Sequence, residues 1–231
     1  MTKLKTWSYS ASRSIIRALK TLKVLPPMPL PVWMAENFYM SAESSYVEGK
    51  WVSYPYQVGV LFAFGHDDIE EVDVKKSART GYTKMLLGAS AYFTIFKHRN
   101  QVIWQPTDSD AIEFAQTEYD TMIRDVEAFK PIFPAMGKKH AHNKNDFKKY
   151  IGCLTYLKGG TSAKNYRRIS PDVGMIDEAS AFDGDIDNEG SSRKLAKKRL
   201  EGATFPKLIV GSTPKLKYTC EITKAVEEAD A

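Results

Sequence analysis

A segment of nine residues, Lys76–Lys84, constrains the fold of this chain more than any other part of its sequence. An alternating apolar stretch before it, Ile69–Val74, predicts a strand, and a stretch rich in Leu, Ala and Met, Thr83–Phe96, predicts a helix. A strand that turns directly into a helix aims backbone amides and the positive end of the helix dipole at an anion. The segment therefore predicts a phosphate-binding loop inside an α/β domain.

The loop departs from the usual phosphate-binding pattern, G-x-x-x-x-G-K-[ST]. When Gly81 is aligned with the second glycine, Thr83 falls on the hydroxyl that holds Mg²⁺, but Tyr82 takes the place of the lysine. Lys76 occupies the first glycine position and Lys84 follows the motif, so two lysines are candidates for the missing charge. We favour Lys76, because helix geometry after Thr83 turns Lys84 away from the phosphates. The predicted nucleotide-binding loop comprises Lys76, Ser77, Ala78, Arg79, Thr80, Gly81, Tyr82, Thr83 and Lys84.

Strand-like and helix-like stretches alternate through the rest of the chain. Short apolar segments predict strands at residues 101–105, 150–157, 172–177 and 205–210, and a longer segment with one apolar face, 108–126, predicts a helix. Strands interleaved with helices favour a mainly parallel sheet that is covered on both faces.

The N-terminal part of the chain predicts an arm outside this domain. Apolar residues spaced through 7–24, with Arg and Lys between them, predict an amphipathic helix, and the proline-rich segment 25–31 ends it. We therefore divide the chain into an arm with its linker, 1–32, and one domain, 33–231. The arm helix either packs on its own domain or binds a partner, and the sequence leaves both interpretations open.

Composition excludes several classes of protein. No apolar run approaches the ~18 residues that span a bilayer, and the basic N-terminus lacks the continuous apolar core of a secretory signal. Two cysteines, Cys153 and Cys220, make no disulfide framework and are typical of reduced thiols in a cytoplasmic protein. The net charge of +5 and the pI near 9.0 permit nucleic-acid binding through phosphate contacts without establishing it.

Two later strand ends carry side chains suited to ATP hydrolysis. The apolar segment Val173–Asp177 ends in a carboxylate and is followed by a second one, Glu178. In a P-loop ATPase the first of two such carboxylates, here Asp177, holds Mg²⁺, and the second orients and deprotonates the attacking water. The next predicted strand leads to Ser212 and Thr213, whose hydroxyls suit a sensor of the γ-phosphate. With the loop, these segments supply a candidate for each part that phosphoryl transfer requires.

Two other polar segments are weaker candidates for a site. Residues 137–149 predict a polar, basic loop, and the pair His140 and His142 within it lacks the further ligands that a metal site requires, so we favour a solvated loop, with contact to nucleic-acid backbone as the alternative. The acidic segment 183–189 begins like an EF-hand loop, but Asn188 stands at the glycine position. We therefore reject calcium binding there.

Together these residues resemble the N-terminal ATPase region of the large terminase subunit of lambda-like tailed phages. The resemblance covers about residues 33–220, and the loop that begins with lysine and continues with Gly-Tyr-Thr-Lys is its most specific feature. It implies an α/β fold, a P-loop NTPase of the ASCE type with a mainly parallel central sheet flanked by helices, plus an N-terminal helical arm. The matching segments are Glu43–Tyr46, Glu48–Trp51, Lys75–Gly88, Trp104–Asp108, Gly159–Tyr166, Asp177–Glu178, Ala181–Asp183 and Gly211–Lys215.

The resemblance also implies a function. In that family an ATP-driven, Mg²⁺-dependent motor reels double-stranded viral DNA into a capsid shell in the host cytoplasm, as a ring of subunits docked at the portal protein. The N-terminal arm is similar to the family segment that binds the small terminase subunit. Tyr46 and Gln57 are expected near the adenine, Lys76 on the phosphates and Arg79 on the γ-phosphate. Family members carry a C-terminal nuclease domain, and because this chain stops at Ala231 we expect it not to cut DNA alone.

Two other functions remain open from the sequence. A helicase-like ATPase is compatible with the same segments and predicts strand separation on forked DNA. The substitution of Tyr82 for the usual lysine favours a third possibility, a non-catalytic, basic DNA-binding or assembly module with a degenerate nucleotide site. That module predicts no Mg²⁺-dependent nucleotide binding.

Overall fold

A seven-stranded sheet forms the centre of the structure, a computed structural model that describes residues 28–133, 143–215 and 220–229. A separate antiparallel pair, β1 (Tyr39–Met40) and β2 (Gly49–Lys50), precedes it in the chain. The strands of the sheet are β3 (Glu71–Lys75), β4 (Gln101–Gln105), β5 (Asn143–Lys144), β6 (Phe147–Lys149), β7 (Leu154–Gly159), β8 (Val173–Asp177) and β9 (Lys207–Ser212).

The sheet is mainly parallel, as predicted. Its strands follow the order β3-β9-β8-β4-β7-β6-β5, and the first five of these run parallel, while β6 and β5 form an antiparallel hairpin at one edge. Strand β9 lies between β3 and β8, with Ser212 beside Lys75 and Gly211 beside Asp177. The loop that follows β3 and the residues that follow β8 and β9 therefore meet at the carboxyl ends of the parallel strands. Ligands bind at this end of the strands in open α/β sheets.

Helices cover both faces of the sheet. They are α1 (Leu30–Asn37), α2 (Pro55–Gly65), α3 (Tyr82–Ile95), α4 (Asp108–Phe114), α5 (Asp120–Asp125), α6 (Ser192–Leu200) and α7 (Glu221–Glu228), together with a π-helix, Ala115–Tyr119, and short 3₁₀ helices at Glu127–Phe129, Ala163–Tyr166 and Ala179–Ala181. Every residue of β4, β8 and β9 is buried, as expected for strands covered on both sides. Within the described residues, no helix has the length and apolar character that crossing a membrane requires.

Two apolar clusters form the core, one on each face of the sheet. The first contains Leu61 of α2, Leu86 of α3 and Ile103 of β4. The second contains Leu195 of α6 and Trp104 of the same strand. Successive side chains of a strand point to opposite faces, so each central strand supplies apolar groups to both clusters.

The predicted elements around the loop are confirmed with small shifts in their ends. Strand β3 begins two residues later than predicted from Ile69 and ends at Lys75, and α3 begins at Tyr82. The helix predicted over 108–126 is present from Asp108 to Asp125, but its middle turn is a π-helix. The strand predicted at 205–210 does not stop before Gly211 but continues through Ser212.

The polar loop predicted at 137–149 is wrong over its described part. Residues 143–149 contain strands β5 and β6, which extend the sheet beyond β7. Lys148 of β6 is buried, and its ammonium lies 2.6 Å from a carboxylate oxygen of Asp120 and donates to the side chain of Asn143. A distant carboxylate therefore neutralises a lysine that the local sequence places in solvent. His140 and His142 lie outside the described residues.

The predicted arm lies mostly outside the described residues, which begin at Met28. The helix predicted over 7–24 is therefore not described. The division into arm and domain stays a prediction, although α1 begins at Leu30, inside the predicted linker. Leu30 is buried in the first cluster, and a Cβ atom on Gly65 of α2 would lie 2.7 Å from its Cβ. Leu30 is thus part of the packed domain.

Gly159 supplies a test of how the fold places the sheet edge. A Cβ atom there would lie 2.2 Å from the backbone nitrogen of Asp108 and 2.4 Å from the carbonyl carbon of Thr107. We expect Gly159→Ala to lower the free energy of unfolding by about 2 kcal/mol or more in urea denaturation, because backbone atoms cannot yield cheaply. The control is Gly59→Ala in α2, whose Cβ would meet no atom within 4 Å. That variant should gain up to about 1 kcal/mol, and equal stability of the two variants would contradict the packing.

Lys207 supplies a test by pH. Its buried ammonium donates to the backbone carbonyls of Ala63, in the last turn of α2, and of His66 and Ile69, which follow that helix. Burial lowers the pKa of Lys207 to about 8, from an ordinary value of 10.5. Between these pH values the unfolded chain binds more protons than the folded one, so the contribution of Lys207 to stability rises with pH.

The matched variant is Lys207→Met, which removes the titrating group. We expect the free energy of unfolding of the wild type, minus that of this variant, to be flat below about pH 8 and to rise between about pH 8 and pH 10.5. Denaturant titrations at a series of pH values measure this difference. A difference that stays constant over that range would show that Lys207 keeps its ordinary pKa in the folded protein.

Candidate nucleotide-binding site

A cavity of about 310 Å³ opens at the edge of the sheet where β3, β8 and β9 end. Four parts of the chain contribute to it: the loop between β3 and α3, the first turn of α3, the residue that follows β8, and the residue that follows β9. Its lining residues are Lys76, Ala78, Arg79, Thr80, Gly81, Tyr82, Thr83, Lys84, Glu178 and Thr213. The volume falls at the small end of the range of ligand pockets, roughly 300–1,000 Å³.

The N-terminus of α3 faces this cavity without a side-chain cap. Gly81 is the N-cap residue and has a left-handed backbone, φ 78°, which glycine adopts without strain. The first turn contains no acidic side chain. Its backbone amides and the positive end of the helix dipole are therefore available to an anion.

Helix α2 holds the loop from behind. The side-chain amide of Gln57 donates to the carbonyl oxygen of Thr80 at 2.9 Å, and the hydroxyl of Tyr56 donates to the same oxygen at 3.2 Å. Gln57 is buried and also accepts a hydrogen bond from the backbone amide of Tyr54. Two donors on one carbonyl oxygen fix the orientation of the peptide that precedes Gly81.

Lys76 and Glu178 form an ion pair across the cavity. The lysine side chain is 9% exposed and the glutamate side chain 43%. The backbone amide of Lys76 donates to the carbonyl oxygen of Ser212 at 3.1 Å, which ties the start of the loop to the end of β9. Glu178 has a left-handed backbone, φ 55°, a strained conformation for a residue with a side chain.

Asp177 lies beneath the loop and is almost fully buried. Its Oδ2 accepts a hydrogen bond from the hydroxyl of Thr83 at 3.4 Å, whereas its Oδ1 has no hydrogen-bond partner among the described residues. Burial raises the pKa of Asp177 to about 6, while the nearby Lys76 acts to lower it. An unpaired buried carboxylate oxygen beside a threonine hydroxyl is a donor set that fits Mg²⁺, a cation that prefers oxygen ligands.

Two hydroxyl residues at the end of β9, Ser212 and Thr213, also contact Glu178. The hydroxyl of Ser212 lies 3.5 Å from Oε2 of Glu178, and the backbone amide of Thr213 lies 3.4 Å from the same atom. The Ser212 hydroxyl also accepts a hydrogen bond from the backbone amide of Ser180 at 2.9 Å. The hydroxyl of Ser212 therefore links the end of β9 to Glu178 itself and to Ser180, two residues later in the chain.

Tyr82 and Lys84 point away from each other at the start of α3. The ring of Tyr82 is buried against β9, where a Cβ atom on Gly211 would lie 2.0 Å from its Cζ. The ammonium of Lys84 pairs with Glu118 of the π-helix at 2.5 Å. Lys84 borders the cavity but is held by this carboxylate, whereas Lys76 is held at the cavity by Glu178.

The structure brings together most, but not all, of the predicted site residues. Ser77, Asp177 and Ser212 adjoin the cavity-lining residues without lining the cavity, and Gln57 lies behind the loop. Arg79 is exposed at the cavity with φ 62°. Tyr46 is fully exposed and is not among the lining residues.

Two residues that contribute to the site, Tyr56 and Gln105, were not predicted from the sequence. Tyr56 holds the Thr80 carbonyl together with Gln57, and the signal for it was its position next to that glutamine. Gln105 is buried at the end of β4, and its side chain acts weakly against the burial that raises the pKa of Asp177. A polar residue that ends an apolar strand just before Pro106 was the available signal for Gln105. No cluster of three or more His, Cys, Asp or Glu side chains suited to a metal occurs in the part of the chain that the structure describes.

Comparison with known proteins identifies the family of this chain. The ATPase domain of the phage terminase large subunit gpA matches residues 45–231. The chain is 45% identical over 219 residues to the terminase large subunit of Escherichia phage lambda, and 43% identical over 221 residues to that of Enterobacteria phage P21. These alignments cover 94% and 95% of this chain and 34% of each relative, so the chain spans about a third of their length.

A solved structure shares the fold at low sequence identity. The large terminase of bacteriophage HK97 superposes with a TM-score of 0.60 at 12% identity, over 80% of this chain and 37% of that one. The α/β fold with a mainly parallel sheet is therefore that of a large terminase ATPase domain. With the matched residues and the two relatives, this places the chain in the family of the phage terminase large subunit ATPase domain, gpA type.

Proposed function

We propose that this chain hydrolyses ATP to drive double-stranded DNA into a viral capsid. The observation that carries the proposal is a cavity at which an uncapped helix N-terminus, a lysine and the carboxylate of Glu178 meet, with the buried carboxylate of Asp177 next to Thr83 of its lining. Membership of the terminase ATPase family supports the link to DNA packaging.

Binding of the triphosphate is proposed to depend on the loop. Backbone amides at the start of α3 and the ammonium of Lys76 would hold the phosphates, which compete with Glu178 for that lysine. The hydroxyl of Thr83 and Oδ1 of Asp177 are the groups that would hold Mg²⁺. When bound, the cation neutralises charge that develops on the phosphates.

Hydrolysis is proposed to use Glu178 as the base that orients and deprotonates water. Once Lys76 is drawn to the phosphates, the Glu178 carboxylate is left with its weaker contacts to Ser212 and Thr213. Those two residues are the proposed sensor, because they contact the base at the end of β9, where Ser212 is the last residue of the strand and Thr213 follows it. Arg79 is the proposed partner of the γ-phosphate, and its exposed position at the cavity is compatible with that role.

The remaining assignments follow from the family resemblance. We propose that Gln57 and Tyr46 lie near the adenine, although Tyr46 would have to approach the cavity from its exposed position. We propose further that the N-terminal arm binds the small terminase subunit, and that a ring of subunits works at the portal protein in the host cytoplasm. A helicase-like motor is the competing enzyme and would separate strands of forked DNA, which a packaging motor would leave paired.

The first test concerns the displaced lysine. We expect Lys76→Ala to reduce Mg²⁺-dependent ATP turnover to background, because it removes the cation held at the cavity. Phosphate release from ATP measures this effect, and the matched control is Lys75→Ala, since Lys75 is exposed. Loss of turnover in both variants, or in neither, would contradict the role of Lys76. Absence of any Mg²⁺-dependent nucleotide binding by the wild type would favour the non-catalytic module.

The second test concerns the base. We expect Glu178→Gln to bind ATP at least as tightly as the wild type, because the ion pair that competes for Lys76 is lost. Turnover should fall by about 10²–10⁴, the usual contribution of a general base. Calorimetry with a non-hydrolysable ATP analogue and phosphate release measure the two effects, with Glu201→Gln, at an exposed position, as control. Hydrolysis by Glu178→Gln at the wild-type rate would remove Glu178 from this role.

A further inference from the structure

Tyr82 occupies the position at which a standard phosphate-binding loop carries its lysine, yet its side chain turns into the core. It is 2% exposed, and its ring meets the edge of the Phe64 ring from α2 at a centroid distance of 6.4 Å and an angle of 87°. On its other side a Cβ atom on Gly211 would lie 2.0 Å from Cζ and 2.3 Å from the hydroxyl. The ring therefore occupies space beside β9 that is open only because residue 211 is a glycine.

The ammonium of Lys76 lies over this ring. The distance from Nζ to the ring centroid is 5.2 Å, within the ~6 Å at which a cation is attracted to an aromatic face. The lysine side chain is 9% exposed, so the contact is largely desolvated, a condition that strengthens such attraction. Lys76 thus has two partners at the cavity, the Glu178 carboxylate and the Tyr82 ring.

We infer that Tyr82 is a positioning residue for Lys76. The residue that displaced the usual lysine supplies the aromatic surface that keeps the substitute lysine at the phosphates. When phosphates draw Lys76 away from Glu178, the ring remains as the fixed contact for its ammonium. The contact between Lys76 and the Tyr82 ring does not depend on the proposed function. The effect of Tyr82 on nucleotide binding does rest on that proposed function.

The hydroxyl of Tyr82 has no part in this role. It has no hydrogen-bond partner among the described residues, and it is buried near the negative charges of Asp177 and Glu178. A phenylalanine would keep the ring face and would remove a buried polar group that lacks a partner, which is costly in a protein interior. Tyr82→Phe should therefore fold at least as stably as the wild type and keep Lys76 in place.

The first measurement needs no nucleotide. Acylation of Lys76 by an amine-reactive anhydride, followed by peptide mass spectrometry, reports how well its ammonium is held. We expect Tyr82→Met to raise the acylation rate by about threefold or more, and Tyr82→Phe to leave it at the wild-type value. Gly211→Ala should act like Tyr82→Met, because its Cβ displaces an intact ring.

The matched control is Tyr92→Met. Tyr92 is a second buried tyrosine of α3, with Lys97 over its ring at 5.9 Å, on a part of the helix remote from the loop in sequence. Thermal unfolding midpoints of all variants accompany the labelling, so that loss of folding is recognised. An equal rise in Lys76 acylation for Tyr92→Met would indicate general loosening of α3 and would overturn the inference.

The second measurement is the dissociation constant of a non-hydrolysable ATP analogue with Mg²⁺. We expect Tyr82→Met to weaken binding by about tenfold, Tyr82→Phe to leave it unchanged, and the effect of Tyr82→Met to vanish in a Lys76→Ala background. Unchanged acylation in both Tyr82→Met and Gly211→Ala, or a Phe variant that behaves like the Met variant, would overturn the role of Tyr82. A wild type that binds no analogue would remove the proposed function, while the acylation rates would still decide whether Tyr82 holds Lys76.

Discussion

The parallel register of β3, β9 and β8 is the constraint on which the candidate site depends. Lys76 and Glu178 are 102 residues apart in the chain, yet they meet because both directly follow strands that end at the same level of the sheet. Strand β9 separates the two, so their strands lie roughly 10 Å apart, a gap that two long side chains can bridge. A slip of β9 by one residue would turn Ser212 to the other face of the sheet and break its contact with Glu178.

The site residues could be predicted where the neighbouring sequence identifies them. Parallel strands that are buried on both faces appear in the sequence as continuous apolar runs. The polar residues at the ends of two such runs could therefore be predicted as site residues: Asp177, Glu178 and Ser212. The prediction of a strand that ends before Gly211 is wrong, because Gly211 continues β9 and makes room for a ring from α3. Nothing in the local pattern around position 211 records that neighbour.

Other features depend on partners that are distant in the sequence. Lys148 belongs to a polar, basic segment, and only Asp120, from a different helix, makes its burial possible. The choice between Lys76 and Lys84 could be argued from helix geometry, but Glu118, the residue that holds Lys84, lies in a π-helix that periodicity cannot separate from an α-helix. The position of Tyr46 was inferred from resemblance alone, and its exposed side chain lies off the cavity.

Some buried polar groups of the domain have no hydrogen-bond partner among the described residues, at the candidate site and elsewhere. Tyr119, in the core beneath the sheet, exchanges hydrogen bonds with Ser90, Thr155 and Tyr150. Tyr82, equally buried in the same core cluster, has no partner for its hydroxyl among the described residues, and Oδ1 of Asp177 also has none. An unpaired buried polar group costs about 1–3 kcal/mol, and a bound cation would supply the partner that Oδ1 of Asp177 lacks.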